Sequence, residues 1–282
     1  MPTPVLSSVH VHPVKAMRAL APTEAEVQPW GLAGDRRWAV VDAAGKVVTQ
    51  RRHPRMALAT AELLPGGGIR LSAPGRPPLA VEVPHPSSAD PSTASPTVTV
   101  EIFDQPVEAV PADSAAGGWL SAYLEGDFRL VHMDAPEHRR PVDPAYALPG
   151  ETVSFADGYP LLVATTSSLD ALNSLIAQGD HAHEGPLPMN RFRPNLVIEG
   201  TSPWAEDGWT RLAVGEVTFR VARPCGRCVV TTTDQVTAER GKEPLRTLAR
   251  HRKNDGRVIF GQNLVPEHTG TVRVGDEVKV LD

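Results

Sequence analysis

The segment that decides how this chain is organised reads Arg223-Pro224-Cys225-Gly226-Arg227-Cys228-Val229-Val230-Thr231-Thr232-Thr233-Asp234. It contains both cysteines of the protein. Before it, the alternating apolar residues of 217–221 predict a strand with one buried face. Pro224 and Gly226 predict a turn, and the β-branched residues 229–232 predict a second strand. The segment therefore predicts a hairpin that carries two thiols at its tip.

Several interpretations of the two thiols are open at this point. Arg223 and Arg227 flank them, and an arginine beside a cysteine favours the thiolate, which attacks electrophiles and binds soft metals. A Cys-x-x-Cys pair can be half of a zinc site, but no second half follows at ligand spacing. A dithiol redox motif normally opens a helix in a βαβ unit, whereas a strand is predicted here. Structural cysteines and a single metal-binding thiolate both remain open.

The composition indicates a soluble globular protein. A length of 282 residues predicts one large or two medium domains, and 41% hydrophobic with 22% charged residues suits a proper core. The net charge of -5 gives no indication of nucleic-acid binding. We find no signal-peptide pattern and no apolar run near the ~20 residues of a membrane span, so no membrane association is expected. Two cysteines suit a reducing cytoplasm, and 28 prolines with 23 glycines predict many short strands.

The first half of the chain reads as short strands and turns. Residues 5–15 predict a strand that ends at Lys15, a residue whose charge is either solvated or available to a phosphate. Residues 38–41 predict a strand that enters a hairpin. Residues 84–96 are polar and rich in proline, which predicts an exposed loop. Residues 118–126 carry aromatic and leucine pairs at i, i+4 spacing, which predicts a short helix.

The second half begins after a segment without periodicity. Residues 138–150 are rich in proline and positive charge, which predicts a loop and a candidate lid over an anionic ligand. Residues 161–164 predict a strand, and the apolar stripe within 169–176 predicts a helix. Ser167 and Asp170 resemble a capping pair at the start of this helix.

Two further places predict contacts with an anion. Thr165 and Thr166 lie at the predicted helix start, where unpaired N–H groups bind anions, and simple N-capping is the alternative. Two arginines, Arg191 and Arg193, and Asn195 lie beside a rigid proline, which suits a preformed clamp for an anion or a heterocycle. A solvated strand entrance is the alternative interpretation of this second place.

With these pieces assembled, the chain resembles the MOSC family, named for the molybdenum-cofactor sulfurase C-terminal domain. More narrowly, it resembles the two-part proteins with an N-terminal MOSC-associated β-barrel, which include mitochondrial amidoxime-reducing components and bacterial reductases of N-hydroxylated bases. Eight segments carry the resemblance in the right order: 12–15, 34–38, 169–173, 192–195, 227–234, 242–245, 260–263 and 270–280.

The resemblance implies a mainly β (α+β) fold in two parts. An N-terminal MOSC-associated β-barrel-like domain is expected over residues 1–125. It is expected to pack on a MOSC β-barrel with a few short helices over residues 126–282, which carries the cysteine ligand.

The resemblance also implies a molybdenum cofactor, a molybdopterin dithiolene with a terminal phosphate. Pyridoxal phosphate is not expected. Cys228 falls on the metal-ligand and catalytic position. The implied cofactor contacts are Lys15, Ala16, Arg36, Thr165, Thr166, Arg193, Asn195, Gly226 and Arg227. A soft thiolate suits molybdenum, and a dianionic phosphate suits lysine, arginine and helix-start N–H groups. Three positions depart from the better-known members, since Ala16, Thr165 and Gly226 stand where serines are frequent.

The activity implied by the resemblance is the two-electron reduction of N-hydroxylated compounds, whose oxygen leaves as water. Hydroxylamines, amidoximes and N-hydroxylated bases are the expected substrates. Because no iron–sulfur domain or membrane anchor is recognised in the chain, electrons are expected from separate flavin, iron–sulfur or haem carriers. Two other functions remain open. One is a carrier or transfer module for the cofactor or for persulfide sulfur on Cys228, and the other is an interaction barrel without a cofactor.

Overall fold

The computed structural model describes residues 3–86 and 96–281. Residues 87–95, which make up most of the predicted exposed loop, lie outside the described residues. Within the described ranges, strands dominate and four α-helices occur.

The described residues of the first half form ten strands and one α-helix. They are β1 (Val5–Val9), β2 (Glu24–Gln28), β3 (Gly31–Leu32), β4 (Trp38–Asp42), β5 (Thr60–Leu63), β6 (Ile69–Ala73), β7 (Arg76–Val81), β8 (Val98–Ile102), β9 (Gln105–Pro111), α1 (Ser114–Leu124) and β10 (Phe128–His132).

The second half contains three helices and eight strands. They are α2 (Pro136–Arg139), β11 (Leu161–Thr165), α3 (Thr166–Ala177), β12 (Leu196–Glu199), β13 (Arg211–Val214), β14 (Val217–Gly226), α4 (Leu245–His251), β15 (Lys253–Asn254), β16 (Arg257–Pro266), β17 (Gly270–Arg273) and β18 (Val278–Val280).

An eight-stranded sheet forms the body of the second half. Its order is β1-β12-β11-β16-β14-β13-β18, with β15 paired to β16. The two end strands approach each other, because Val5 forms a bridge with Glu277 and the N–H of Leu6 donates to the carbonyl of Asp276 at 2.9 Å. The sheet is therefore a nearly closed barrel filled by apolar side chains such as Leu6, Leu212 and Phe219.

Close contact between the strands of this barrel depends on a glycine in β16. Gly261 has a φ of +74°, and a Cβ at this position would lie 2.5 Å from the carbonyl oxygen of Val163 in β11. Any other side chain would push the two strands apart. At the other edge of β16, β14 contains two register shifts, between Val221 and Arg223 and between Pro224 and Gly226. Such bulges redirect the end of a strand, and here they turn the end of β14 out of the regular ladder.

The first half forms smaller layers. One sheet has the order β4-β10-β9-β8, and a second sheet has the order β5-β6-β7. Helix α1 buries Trp119, Leu120 and Tyr123 against a core that also contains Trp38 and Met56. The predicted mainly β architecture, with an N-terminal barrel-like domain and few short helices, is confirmed.

The two halves exchange strands. Strand β1 pairs with β12 in the eight-stranded sheet, and β2 pairs with β17 in a separate three-stranded sheet, so the first 32 positions pair with strands of the second half. Conversely, β10 lies beyond the predicted domain boundary at residue 125 but pairs with β4 and joins the N-terminal layers. This exchange fixes the two halves against each other. The predicted boundary between residues 125 and 126 stays a prediction.

Several local predictions need correction. Residues 5–15 form a strand only as far as Val9. Residues 229–232 form a 3-10 helix, not the predicted strand. Thr165 caps α3, not Ser167, because the Thr165 side chain accepts a hydrogen bond from the N–H of Ser168. Among the described helices, none combines the length and apolar character needed to cross a bilayer.

Candidate functional site

A cavity lies where the first and second halves meet. Residues from the segment after β1, from the approach to β4, from the loop before β11, from the loop before β12 and from the end of β14 all line it. The predicted site residues on its wall are Lys15, Ala16, Arg36, Arg193, Asn195, Gly226, Arg227 and Cys228. Seven of the nine implied cofactor contacts and the implied metal ligand therefore share one cavity.

Cys228 sits between the end of β14 and the 3-10 helix Val229–Thr232. The N–H of Arg227 donates to the carbonyl of Val258 at 2.7 Å, which fixes the chain just after β14. The carbonyl of Cys228 accepts from the N–H of Thr231 at 3.0 Å and from its hydroxyl at 2.9 Å. The main chain on both sides of the cysteine is thus held by hydrogen bonds, while Cys228 lines the cavity beside Arg51, another residue of its wall.

Each sulfur has an arginine neighbour. Arg51 Nη2 lies 3.5 Å from Cys228 Sγ, and Arg227 Nη1 lies 2.8 Å from Cys225 Sγ. Arg227 also donates to the carbonyl of Phe192, so its guanidinium is positioned by the loop before β12. Positive charge close to a sulfur stabilises the thiolate that a metal would require. Both cysteines are free and partly accessible.

Lys15 enters the cavity wall from the N-terminal half. It is buried, and its Nζ donates to the carbonyl of Phe155 at 2.7 Å and to Asp157 Oδ1 at 2.5 Å. Burial lowers the pKa of Lys15 to about 8, although the neighbouring Asp157 acts in the opposite direction. The ion pair with Lys15 holds the pKa of Asp157 well below its usual range.

The pKa of Lys15 leads to a pH prediction for the cofactor-free protein. We expect the affinity for sulfate to fall as the pH rises through about 8, because Lys15 then loses its charge and leaves Asp157 uncompensated. Sulfate keeps the same charge in this range, so the change reports on the protein. Calorimetric titration of the wild type and of Lys15→Met tests it. The variant should bind sulfate weakly and lack the step, and a wild-type affinity that is constant across this pH contradicts the assignment.

Arg36 and Asn195 connect the two halves at the cavity. Arg36 Nη1 donates to Asn195 Oδ1 at 3.0 Å and forms an ion pair with the buried Asp35. Asn195 Nδ2 donates to the carbonyl of His10 at 3.0 Å, and Asn195 Oδ1 also accepts from the N–H of Leu162 at 3.2 Å. Asn195, a residue of the predicted clamp, therefore has a clear structural part, since its side chain joins Arg36, β11 and the segment after β1.

Two arginines of the loop before β12 keep unused donors. Arg193 has a buried Nη2 without a hydrogen-bond partner, and Arg191, 5% exposed, has an unpartnered Nε and Nη1. Burial and the neighbouring Arg36 lower the pKa of Arg193 to about 9, so its guanidinium remains charged at neutral pH. Buried donors are normally satisfied, so unused cationic donors on a cavity wall suit an anionic ligand.

Ala16 and Gly226 complete the set of predicted residues on the wall. Ala16 adopts a φ of +67°, and its carbonyl accepts from Gln50 Nε2 at 2.7 Å. Gly226 is exposed at the end of β14 and pairs with Ile259 of β16. Both residues line the cavity at positions where the resemblance expects serines.

Thr165 and Thr166 are not among the residues of the cavity wall. Thr165 is fully buried, where its hydroxyl lies 2.8 Å from Ser168 Oγ and 3.1 Å from Glu206 Oε2. Thr166 begins α3 and is half-buried. The capping alternative thus describes what Thr165 does in the structure, and a cofactor contact from either threonine stays a prediction.

The predicted lid also differs from the structure. None of the residues 138–150, all of which the structure describes, lines the cavity. Arg140 is buried and donates to the carbonyls of Ala156 at 2.5 Å and Asp157 at 2.8 Å. Its charge supports the loop that carries Asp157 and does not lie over a ligand.

Comparison with known proteins decides the family. The chain matches the MOSC N-terminal beta barrel domain over residues 3–127 and the MOSC domain over residues 150–279. It is 31% identical to mitochondrial amidoxime-reducing component 1 of Homo sapiens over 98% of this chain and 82% of that protein. The chain belongs to the MOSC family. The Xenopus laevis protein of the same name is 30% identical over 97% of this MOSC chain and 81% of its own length.

A second kind of relative has a different name. The molybdenum cofactor sulfurase of Oryza sativa subsp. japonica is 29% identical over 91% of this MOSC chain and 32% of that protein. The two kinds of relative together indicate a MOSC function related to the molybdenum cofactor.

The structure adds site residues of this MOSC protein that were not predicted. Asp157 follows a buried segment and precedes a glycine, a turn signal that gives no indication of its ion pair with Lys15. Arg51 is separated from Cys228 by 177 positions, and no local pattern marks it. Arg191 was recognisable as one of two arginines before β12, but its burial was not.

Proposed function

We propose that this MOSC protein binds a molybdenum cofactor and reduces N-hydroxylated compounds. The observation that carries the proposal is the convergence of the Cys228 sulfur with the unused donors of Arg191 and Arg193 on one cavity. A thiolate is the soft ligand that molybdenum accepts, and guanidinium donors suit a phosphate. The residues present therefore fit a group that has a metal at one end and an anion at the other.

The chain's own residues would each serve a distinct part of such a group. Cys228 would provide the thiolate ligand, with Arg51 offsetting its negative charge. Lys15, Arg36 and Arg193 would hold the anionic tail. When bound, the cofactor supplies the two-electron reduction of the N–O bond, and the protein supplies position and electrostatics. Asp157 would keep Lys15 charged at neutral pH by its hydrogen bond.

The test combines metal content with activity. Protein produced in a molybdate-replete host should contain molybdenum and reduce benzamidoxime with an artificial electron donor. Protein from a host unable to make the cofactor serves as the control. Absence of both molybdenum and turnover in the replete preparation would reject the proposal.

The likeness to the sulfurase supports a second candidate, a carrier of the cofactor or of persulfide sulfur on Cys228. Mass spectrometry of the peptide containing Cys228 separates the two candidates. A persulfide without molybdenum favours transfer, whereas bound molybdenum with benzamidoxime turnover favours reduction.

The proposal includes a separate electron carrier, and the charge distribution supports an acidic one. Residues 240–257 contain seven Lys or Arg and two Asp or Glu, although the whole chain has 28 and 33. This basic segment adjoins the cavity. Arg240 donates to the carbonyl of Arg51 at 2.6 Å. The Cδ of Arg257 lies next to Gly226, 3.7 Å from the position that a Cβ on this glycine would take. Complementary charge mainly accelerates association.

We expect the double substitution Lys253→Glu with Arg257→Glu to slow reduction by an acidic carrier protein by about tenfold or more at low salt. Both side chains are exposed, so folding should be unaffected. Turnover with a small artificial donor should stay unchanged, and raising the salt should reduce the difference. Arg70→Glu with Arg129→Glu, two exposed residues of the N-terminal half, is the matched control. Equal loss in both double variants contradicts docking at the basic segment.

A further inference from the structure

We infer that His181, His183 and Glu184 form a binding site for a divalent transition-metal ion, separate from the cavity described above. The three residues belong to the turn that follows α3, and one ligand atom from each lies within 4.8 Å of the other two. Imidazole nitrogens with a carboxylate oxygen are a ligand set that Zn²⁺ and Co²⁺ accept. Among the described residues, no other group of three or more His, Cys, Asp or Glu side chains has its ligand atoms this close together.

The distances suit a shared metal ion. A tetrahedral ion bound at about 2.0–2.1 Å places its ligand atoms about 3.4 Å from one another. His181 Nδ1 lies 3.5 Å from Glu184 Oε1, which is already that separation. His183 is exposed, so a rotation of its side chain closes the remaining distance without disturbing the core. The two imidazole rings lie 5.9 Å apart between centroids.

Glu184 is the fixed member of the group. Its Oε2 accepts hydrogen bonds from the N–H groups of Lys242 and Glu243, both at 2.9 Å. Its Oε1 accepts only the weaker bond from Lys242, at 3.1 Å, and faces His181. A carboxylate oxygen has two lone pairs, so Oε1 keeps one for a metal ion. The carboxylate is thus held in place by main-chain donors before any ion arrives, as ligands of built metal sites usually are.

The position of the site suggests what the ion does. Residues 241–243 connect the 3-10 helix after Cys228 to α4, and the N–H of Gly241 donates to the carbonyl of Thr232 at 3.1 Å. Glu184 already ties the turn after α3 to this connection through its hydrogen bonds, and an ion shared with the two histidines would hold that carboxylate further in place. The site shares no residue with the cavity wall, so its test does not depend on the proposed reductase function.

The experiment uses the untagged full chain and Co²⁺ as the probe, because cobalt absorption distinguishes imidazole and carboxylate ligands from thiolates. We expect visible bands of four-coordinate cobalt without the intense near-ultraviolet bands of a thiolate ligand. His181→Ala and His183→Ala should each weaken binding by more than about 100-fold, more than a change outside the ligand set costs. His251→Ala, an exposed histidine of α4, is the matched control and should leave binding unchanged.

A second measurement distinguishes loss of metal binding from misfolding of the variant. Because His183 is exposed, His183→Ala should melt like the wild type without metal but should lose the rise in melting temperature that Zn²⁺ produces. Cobalt binding that survives in both histidine variants, or thiolate bands that vanish in Cys225→Ala with Cys228→Ala, would place the ion elsewhere and overturn the inference. Absence of micromolar binding in the wild type would overturn it as well.

Discussion

Cys228→Ala is expected to abolish molybdenum-dependent reduction of benzamidoxime, with a loss of more than about 100-fold. Changes to groups outside the ligand set of a metal typically cost about 10–100-fold, and removal of a ligand is more severe. Replacement of the sulfur removes the one thiolate that the geometry offers beside Arg51. The measurement is single-turnover reduction with an artificial donor, normalised to the molybdenum content of each preparation.

Cys225→Ala is the matched control for this experiment. Cys225 lies three positions earlier on the same cavity, and its sulfur is engaged by Arg227 Nη1 at 2.8 Å. We expect this variant to keep most of the activity. Similar losses in the two variants would assign the sulfurs a joint role, and full activity of Cys228→Ala would remove Cys228 from the reaction.

The main features of the site could be predicted from the sequence because few residue types bind anions or soft metals. A cysteine flanked by arginines, a lysine at a strand end and an arginine–asparagine pair beside proline each indicated an anion or a soft metal. The structure brings them to one cavity. Their convergence was expected from the resemblance to a family, since no local pattern places Lys15 near residue 228.

The error at residues 229–232 has a physical cause. Valine and threonine favour strands, so propensity predicted one. In the structure the hydroxyls of Thr231 and Thr232 donate to the carbonyls of Cys228 and Val229 at 2.9 and 2.8 Å. Threonine side chains compete in this way with the ladder of a sheet, and the short 3-10 turn results. Sequence propensity contains no information about which of these two arrangements the surrounding chain permits.

The pairing of strands between the two halves could not be predicted from the sequence either. The pairing of β1 with β12 joins residues about 190 positions apart, as the bond from Ser7 to Val197 shows. Nothing in residues 5–9 specifies that partner, because alternation of apolar residues defines a buried face but not the neighbouring strand. The same limit applies to Asp157, whose pairing with Lys15 spans 142 positions.

Arg193→Met is expected to weaken retention of the cofactor by about 30-fold to more than 1,000-fold. Loss of one partner from a buried, hydrogen-bonded charge pair costs about 2–5 kcal/mol, and each 1.4 kcal/mol is tenfold in affinity. The buried Nη2 of Arg193 has no partner within the described protein, so its proposed partner is the anionic tail. Molybdenum content after extensive dialysis and the rate of cofactor loss are the measurements.

The stability of the cofactor-free protein distinguishes this role from a structural one. Burying a charge without a partner is unfavourable, so Arg193→Met should leave the free energy of unfolding of the empty protein unchanged or raise it. Arg129→Met, an exposed residue of β10, is the control and should alter neither quantity. If Arg193 had a structural role, Arg193→Met would destabilise the empty protein, and cofactor affinity would fall only in proportion to that loss of stability. Loss of cofactor affinity together with an equal or greater free energy of unfolding is therefore the result that assigns Arg193 to the ligand. Removing an unpaired buried charge stabilises the empty protein, and the same change removes a contact to the anion.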